Sequence, residues 1–181
     1  AVDVTIAILV VLSGLPSVGK SSVARALAGR LSAVWLRIDS IEQAILASGV
    51  VPGSIDDAGY RAAMATASDN LSIGLSVVAD CVNPWMEPRD AWRDLGVASG
   101  AMVVEVELIC RDEAEHRRRI EDRRHLHPGE GHPDWQSVIG RDYRPWGRGR
   151  LVVDTAGRPT AACTEDILAA VSTQQAMFTV A

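Results

Sequence analysis

Lys20 is the one lysine among 18 lysine and arginine residues in a chain of 181, so its position is informative. It stands in Gly14-Leu15-Pro16-Ser17-Val18-Gly19-Lys20-Ser21, which satisfies the spacing GxxxxGK[ST] in full. Glycines in such a loop let backbone N–H groups turn inward around phosphate oxygens, and a helix that starts there aims its positive end at the same anion. The lysine reaches the β- and γ-phosphates, and the serine hydroxyl joins the shell of a Mg²⁺ ion. The cofactors expected are therefore ATP or GTP with Mg²⁺. Contacts are expected from Gly14, Pro16, Ser17, Val18, Gly19, Lys20, Ser21 and Ser22. A compact ammonium suits this point better than the fork of an arginine. The loop is not a GxGxxG dinucleotide pattern, which disfavours hydride chemistry.

Two carboxylates follow hydrophobic runs. Asp39, in Arg37-Ile38-Asp39-Ser40, is expected to close a strand and to orient and deprotonate an acceptor hydroxyl, the place of a catalytic base and of a substrate contact. The alternative is a capping box, with Asp39 at a helix N-cap and Glu42 three residues on. Asp80 ends Val77-Val78-Ala79-Asp80, the form of a Walker B acid holding Mg²⁺ together with Ser21. A strand-end acid capping a turn is its competitor. Asp80 is also the next candidate base after Asp39.

Six arginines fall in residues 111–124, interleaved with acids. A solvated, ion-paired helix face is the default for such a pattern. Arg119 and Arg123 nevertheless share one face at i and i+4, ahead of a Pro/Gly-rich loop. They are the arginines expected to balance charge on a transferring phosphoryl group when a lid closes. His125, His127 and His132 in that loop lack a fourth zinc ligand at usual spacing. Asn83, Trp85 and Arg89, beyond the third hydrophobic run, are candidates for the acceptor pocket. Trp85, Trp135 and Trp146 could wall it or simply anchor loops. Thr155, Arg158 and Pro159 follow the last run, where a nucleobase edge could rest, and Arg158 is the nucleotide contact expected there.

The elements that must position these residues alternate regularly. Strands are predicted at 6–12, 35–38, 75–81, 102–109 and 151–154. Helices are predicted from the end of the glycine loop to Leu31, and at 39–47 (closed by Gly49 and Pro52), 56–73, 87–99, 112–124, 135–139 and 164–171. The alternation calls for an α/β fold, a parallel sheet with helices on both faces. One domain is expected over residues 1–172, with a lid at about 117–136 and a loose C-terminal tail at 173–181. A hydrophobic fraction of 48% supports a full core. The net charge of −5 disfavours a generic nucleic-acid binder. The seven-residue apolar run at 6–12 is too short to cross a bilayer, and no basic segment precedes it to suggest a secretory signal. Cys81, Cys110 and Cys163, odd in number and without CxxC spacing, read as buried thiols of a cytoplasmic protein.

The loop, the Asp39-Ser40 segment, Asp80-Cys81-Val82-Asn83, the arginine helix and Tyr143-Arg144-Pro145-Trp146 ahead of Val153-Asp154-Thr155 together resemble the small P-loop kinases. That group includes gluconate kinase, adenylylsulfate kinase, the kinase half of polynucleotide kinase, zeta toxins and chloramphenicol phosphotransferase. The resemblance spans roughly residues 5–172. It implies a three-layer P-loop NTPase sandwich with five parallel strands in the order 2-3-1-4-5. Ile38-Asp39-Ser40 looks most like chloramphenicol phosphotransferase, in which the matching aspartate is the base. Pro84-Trp85-Met86 departs from that enzyme's pattern.

The expectation is a phosphotransferase that moves the γ-phosphoryl group of ATP or GTP to a hydroxyl of a small molecule. A phenicol or a nucleoside antibiotic such as capuramycin, inactivated by O-phosphorylation, is the leading acceptor. The alternatives are a kinase of a primary metabolite such as a sugar acid or adenylylsulfate, a regulatory P-loop NTPase, and a nucleic-acid end kinase, which the acidic balance disfavours.

Overall fold

Residues 6–50 and 54–178 are described by the computed structural model. Five strands, β1 (Ile8–Ser13), β2 (Val34–Arg37), β3 (Val77–Asp80), β4 (Met102–Ile109) and β5 (Leu151–Asp154), form one sheet in the order β2-β3-β1-β4-β5, with every pairing parallel. The predicted order is thus observed. Among the described residues six helices fill the connections, α1 (Lys20–Leu31), α2 (Ile38–Ala47), α3 (Ala58–Ser72), α4 (Met86–Ala98), α5 (Glu113–Leu126) and α6 (Trp135–Ile139), and α7 (Thr160–Phe178) follows β5.

The two-residue period of β1 builds the layers. Ile8, Val10 and Leu12 pack with Val23 and Leu27 of α1 and Ile167 and Val171 of α7. Leu9 and Val11 turn the other way, against Ala63 and Ala67 of α3 and Trp92 of α4. Gly96 lets α4 close on this face, because a Cβ there would lie 2.4 Å from Val103 Cγ2 and 3.0 Å from Leu9 Cδ2. Both faces of β1 are covered by apolar side chains, so the strands' carboxyl ends are the part of the sheet left for chemistry.

Several predicted boundaries move. Arg37 occupies the N-cap of α2 and no side chain caps that helix, so Asp39 sits inside its first turn. The capping box predicted for Asp39 and Glu42 is absent for that reason. β3 begins two residues late, because Gly74 turns the chain at φ +84° and leaves Leu75 largely exposed. Residues 173–178, predicted as tail, continue α7, and Gln174 Nε2 donates to Val103 O at 2.8 Å. Residues 179–181 and Pro52, the predicted stop after α2, lie outside the described residues. Cys81 and Cys163 are buried as expected, whereas Cys110 is only partly covered. Among the described residues no helix is long and apolar enough to cross a membrane.

Candidate active site

The sequence 14–21 wraps the space above β1. Gly14 has φ +144° and a Cβ there would sit 2.3 Å from Leu108 O, so only glycine fits between the loop and β4. Its N–H donates to Val82 O at 3.1 Å. Ser17 at φ +63° and Gly19 at φ +98° turn the intervening backbone. Lys20 opens α1, is buried, and donates from Nζ to Leu15 O at 2.7 Å. Burial pushes its pKa down to about 8 against the opposing pull of Asp80 and Asp39. Val18 turns its side chain into the core, while Ser22 stays open to the cleft.

Leu12, Asp80 and Arg37 stand side by side at the ends of β1, β3 and β2. Asp80 is 4% exposed, and its Oδ2 has no hydrogen-bond partner. Burial drives its carboxyl pKa up, with Lys20 and the Ser21 hydroxyl pulling it back. A bare, buried carboxylate oxygen beside a hydroxyl suits a hard cation held partly by phosphates, which needs only one or two protein ligands. Among the described residues no group of three or more His, Cys, Asp or Glu side chains could hold a metal without such help.

Arg37, given no role in the sequence analysis, joins the site. Its Nε donates to Ser21 Oγ at 3.3 Å, its Nη1 to Ser40 Oγ at 3.3 Å, and its Nη2 lies 3.6 Å from Asp39 Oδ2. Nε also lies 4.0 Å from Asp80 Oδ2. Its signal was its place as the last residue of β2, level with Asp80. Asp39 is half-exposed and lines the cleft with Glu42, one turn further along α2. Burial and the neighbouring Asp39 charge raise the Glu42 pKa, opposed by Arg141.

The cleft encloses about 820 Å³ and is closed on its far side by α5 and the loop after it. Arg119 donates to Thr155 Oγ1 and Thr155 O, both at 2.9 Å, and to Glu115 Oε1 at 2.5 Å. It is therefore docked on the turn after β5. Arg123, one turn on, also lines the cleft, and its charge is among those that lower the Lys20 pKa. Thr155 itself donates to Val18 O at 2.8 Å, joining β5 to the phosphate loop. Arg158 reaches the same end of the cleft, with Nη2 2.8 Å from Asp166 Oδ2. His127 and His132 face Glu130, at 3.3 and 3.0 Å.

Three predicted acceptor contacts lie elsewhere. Arg89 is fully buried. Its Nε donates to Asn83 O at 2.8 Å, and its terminal nitrogens donate to the carbonyls of Pro84, Arg144 and Pro145. The guanidinium lies 4.3 Å from the Trp146 ring and 5.0 Å from that of Tyr143, so no donor remains for a ligand. Asn83, also fully buried, takes the left-handed conformation and donates from Nδ2 to Ser13 Oγ at 3.0 Å. Trp85 donates from its indole to Asp142 at 2.9 Å, away from the cleft. Trp146 anchors the loop over Arg89, while Trp35, on β2, lines the cleft instead.

The sequence pattern of a family described as an AAA domain matches residues 9–132. No curated protein matches the chain. Among solved structures, the APS kinase CysC of Mycobacterium tuberculosis, in complex with AMPPNP and APS, superposes with a TM-score of 0.69 at 19% identity, covering 92% of this chain and 98% of that one. A gluconokinase from Sinorhizobium meliloti 1021 gives a TM-score of 0.65 at 21% identity, with 94% and 95% covered. Kti12 of Chaetomium thermophilum, in complex with ADP-AlF3, gives 0.63 at 17% identity, with 88% and 97% covered. At these identities the likeness is one of fold.

Proposed function

The chain belongs to this AAA domain family, and from that premise we propose that it is a phosphotransferase moving the γ-phosphoryl group of ATP or GTP to a hydroxyl of a small molecule. The observation that carries the proposal is the meeting of Lys20, Ser21, Arg37, Asp39 and Asp80, whose buried Oδ2 accepts no hydrogen bond, on one cleft at the carboxyl ends of β1, β2 and β3. A loop for phosphates, a bare carboxylate and a second, more exposed carboxylate are the parts that phosphoryl transfer needs.

In this mechanism the backbone of residues 14–19 holds the nucleotide phosphates and Lys20 neutralises their β and γ oxygens. Ser21 and Asp80 would hold Mg²⁺, which would supply neutralisation of the phosphates' charge when bound. Arg37 holds Asp39 close to the reacting end, and Asp39 accepts the proton of the acceptor hydroxyl. Arg123 balances charge on the transferring group, and Arg119 stays with Thr155 beside Arg158 at the nucleoside end. The acceptor end, between Asp39, Glu42, Gln43, Leu46 and Trp35, offers carboxylates, an amide and two apolar walls. That mixture favours phenicol and nucleoside antibiotics no more than sugar acids or adenylylsulfate.

The test is ADP and GDP release with Mg²⁺ over a panel of those acceptors, with product mass, in wild type, Lys20→Ala and Asp39→Asn. One acceptor should stimulate release and gain a phosphoryl group, and each substitution should lower the rate by about 10²-fold or more. Acceptor-independent hydrolysis that survives Asp39→Asn would replace this reading with a switch-type NTPase.

A further inference from the structure

Two carbonyl groups of the phosphate loop are tied to elements far away in sequence. Val18 O accepts from Thr155, which is in turn held by Arg119. Pro16 O lies 2.8 Å from Nε2 of His116, on the inner face of α5. His116 is 5% exposed and stands edge-on to Trp135, with ring centroids 5.4 Å apart. A carbonyl only accepts, so Nε2 must carry the proton at this contact whatever the ring's net charge. His116, Arg119 and Arg123 recur at i, i+3 and i+7, which places them along one side of α5.

We infer that His116 is a positioning residue for nucleotide binding: its Nε2–H holds the Pro16 carbonyl turned away from the phosphate site and sets α5 in register with the loop. A peptide unit has one orientation for both its groups. Anchoring the Pro16 oxygen toward α5 therefore points the following N–H, that of Ser17, to the opposite side, where an anion would sit. Without that anchor the carbonyl is free to swing its negative end toward the phosphates. The same helix carries Arg123, so the bond also sets how far that charge stands from the nucleotide. The inference rests on the reading of residues 14–21 as a phosphate-binding loop. It adds that the loop's geometry is imposed from α5.

The test compares three variants. His116→Gln keeps an amide N–H near the Nε2 position, His116→Asn places its amide only as far as Nδ1, and His116→Leu removes the donor. MgADP affinity is measured by calorimetry with no acceptor present, and thermal stability is recorded without nucleotide. Expected are a loss of about 10-fold in affinity for His116→Asn and His116→Leu, and recovery to within about 3-fold of wild type for His116→Gln. In turnover, the KM for nucleotide should rise more than kcat falls. His116→Asn binding MgADP as tightly as wild type would overturn the inference alone. Equal weakening in all three variants would also overturn it, because ring packing on Trp135 would then be what matters. A wild-type chain that fails to bind MgADP would overturn the phosphate-loop reading together with the inference built on it.

Discussion

Lys20 carries its charge at a cost that, on the proposed function, bound phosphates would relieve. With a pKa lowered to about 8 by burial, it loses its proton near the upper end of the neutral range, and only the ammonium form attracts phosphate. Bound phosphates raise that pKa again, so nucleotide binding takes up a proton above pH 8. The dissociation constant for MgADP should therefore be flat below about pH 7.5 and rise through pH 8 to 9, which calorimetry across that range checks. Arg89 shows the opposite arrangement, a buried cation held by four carbonyl groups, the Met86 sulfur and two aromatic rings, with no carboxylate among them. Arg89→Ala should lower unfolding free energy by about 3 kcal/mol or more in urea titration, through carbonyls stranded without donors and lost stacking on Trp146. The glycine loop of residues 14–21 and its place between β1 and α1 were legible in the sequence because the spacing is local. Arg89, Asn83 and Arg37 were misjudged or passed over because a residue's distance from a strand end does not say toward which side the chain turns next. Asn83 turns inward at φ +46° and takes Arg89 with it.

Among the elements, β4 and β5 agree with the hydrophobic runs that announced them, and the glycines after α2 and α3 end those helices where expected. The extension of α7 was hidden because residues 173–178 have no clear apolar period, and the bond from Gln174 to Val103 O is a contact distant in sequence. The arginine helix was expected to lend residues to a lid at about 117–136, with the Pro/Gly-rich loop after it as the movable cover. Its first two turns are instead docked, through Asp112 at the N-cap, His116 on Pro16, buried Ile120 and Arg119 on Thr155. At the other side of the sheet, Gly96→Ala places a methyl against Val103 and Leu9. It should cost about 1–3 kcal/mol by denaturant titration, and the KM for nucleotide should stay within about 2-fold, because α4 does not line the cleft.

For the whole molecule, the depressed Lys20 pKa is a stability statement with a definite sign. The unfolded chain binds this proton up to its ordinary value near 10.5 and the folded chain only up to about 8, so the penalty is complete below pH 8 and fades as pH rises between the two. Lys20→Met should accordingly raise the melting temperature of the ligand-free protein at pH 7. It should also abolish the further rise that MgADP gives the wild type by mass action. Differential scanning fluorimetry with and without nucleotide reads both effects, and a lower ligand-free melting temperature in the variant would contradict them.

The placing of β1 at the centre of the sheet also governs the order of assembly. Its hydrogen-bond partners are β3 and β4, with Leu9 beside Val77 and Val103, while β2, the next strand in the chain, lies out at the edge. During synthesis on a ribosome the most apolar strand thus emerges first and waits for its neighbours, an exposed hydrophobic segment with unpaired edges on both sides. The nascent chain can close around a nucleotide only after residue 109 and the turn carrying Thr155 have been made. The strand order that puts β1 at the sheet's centre therefore also leaves both its edges unpaired until β3 and β4 have been made.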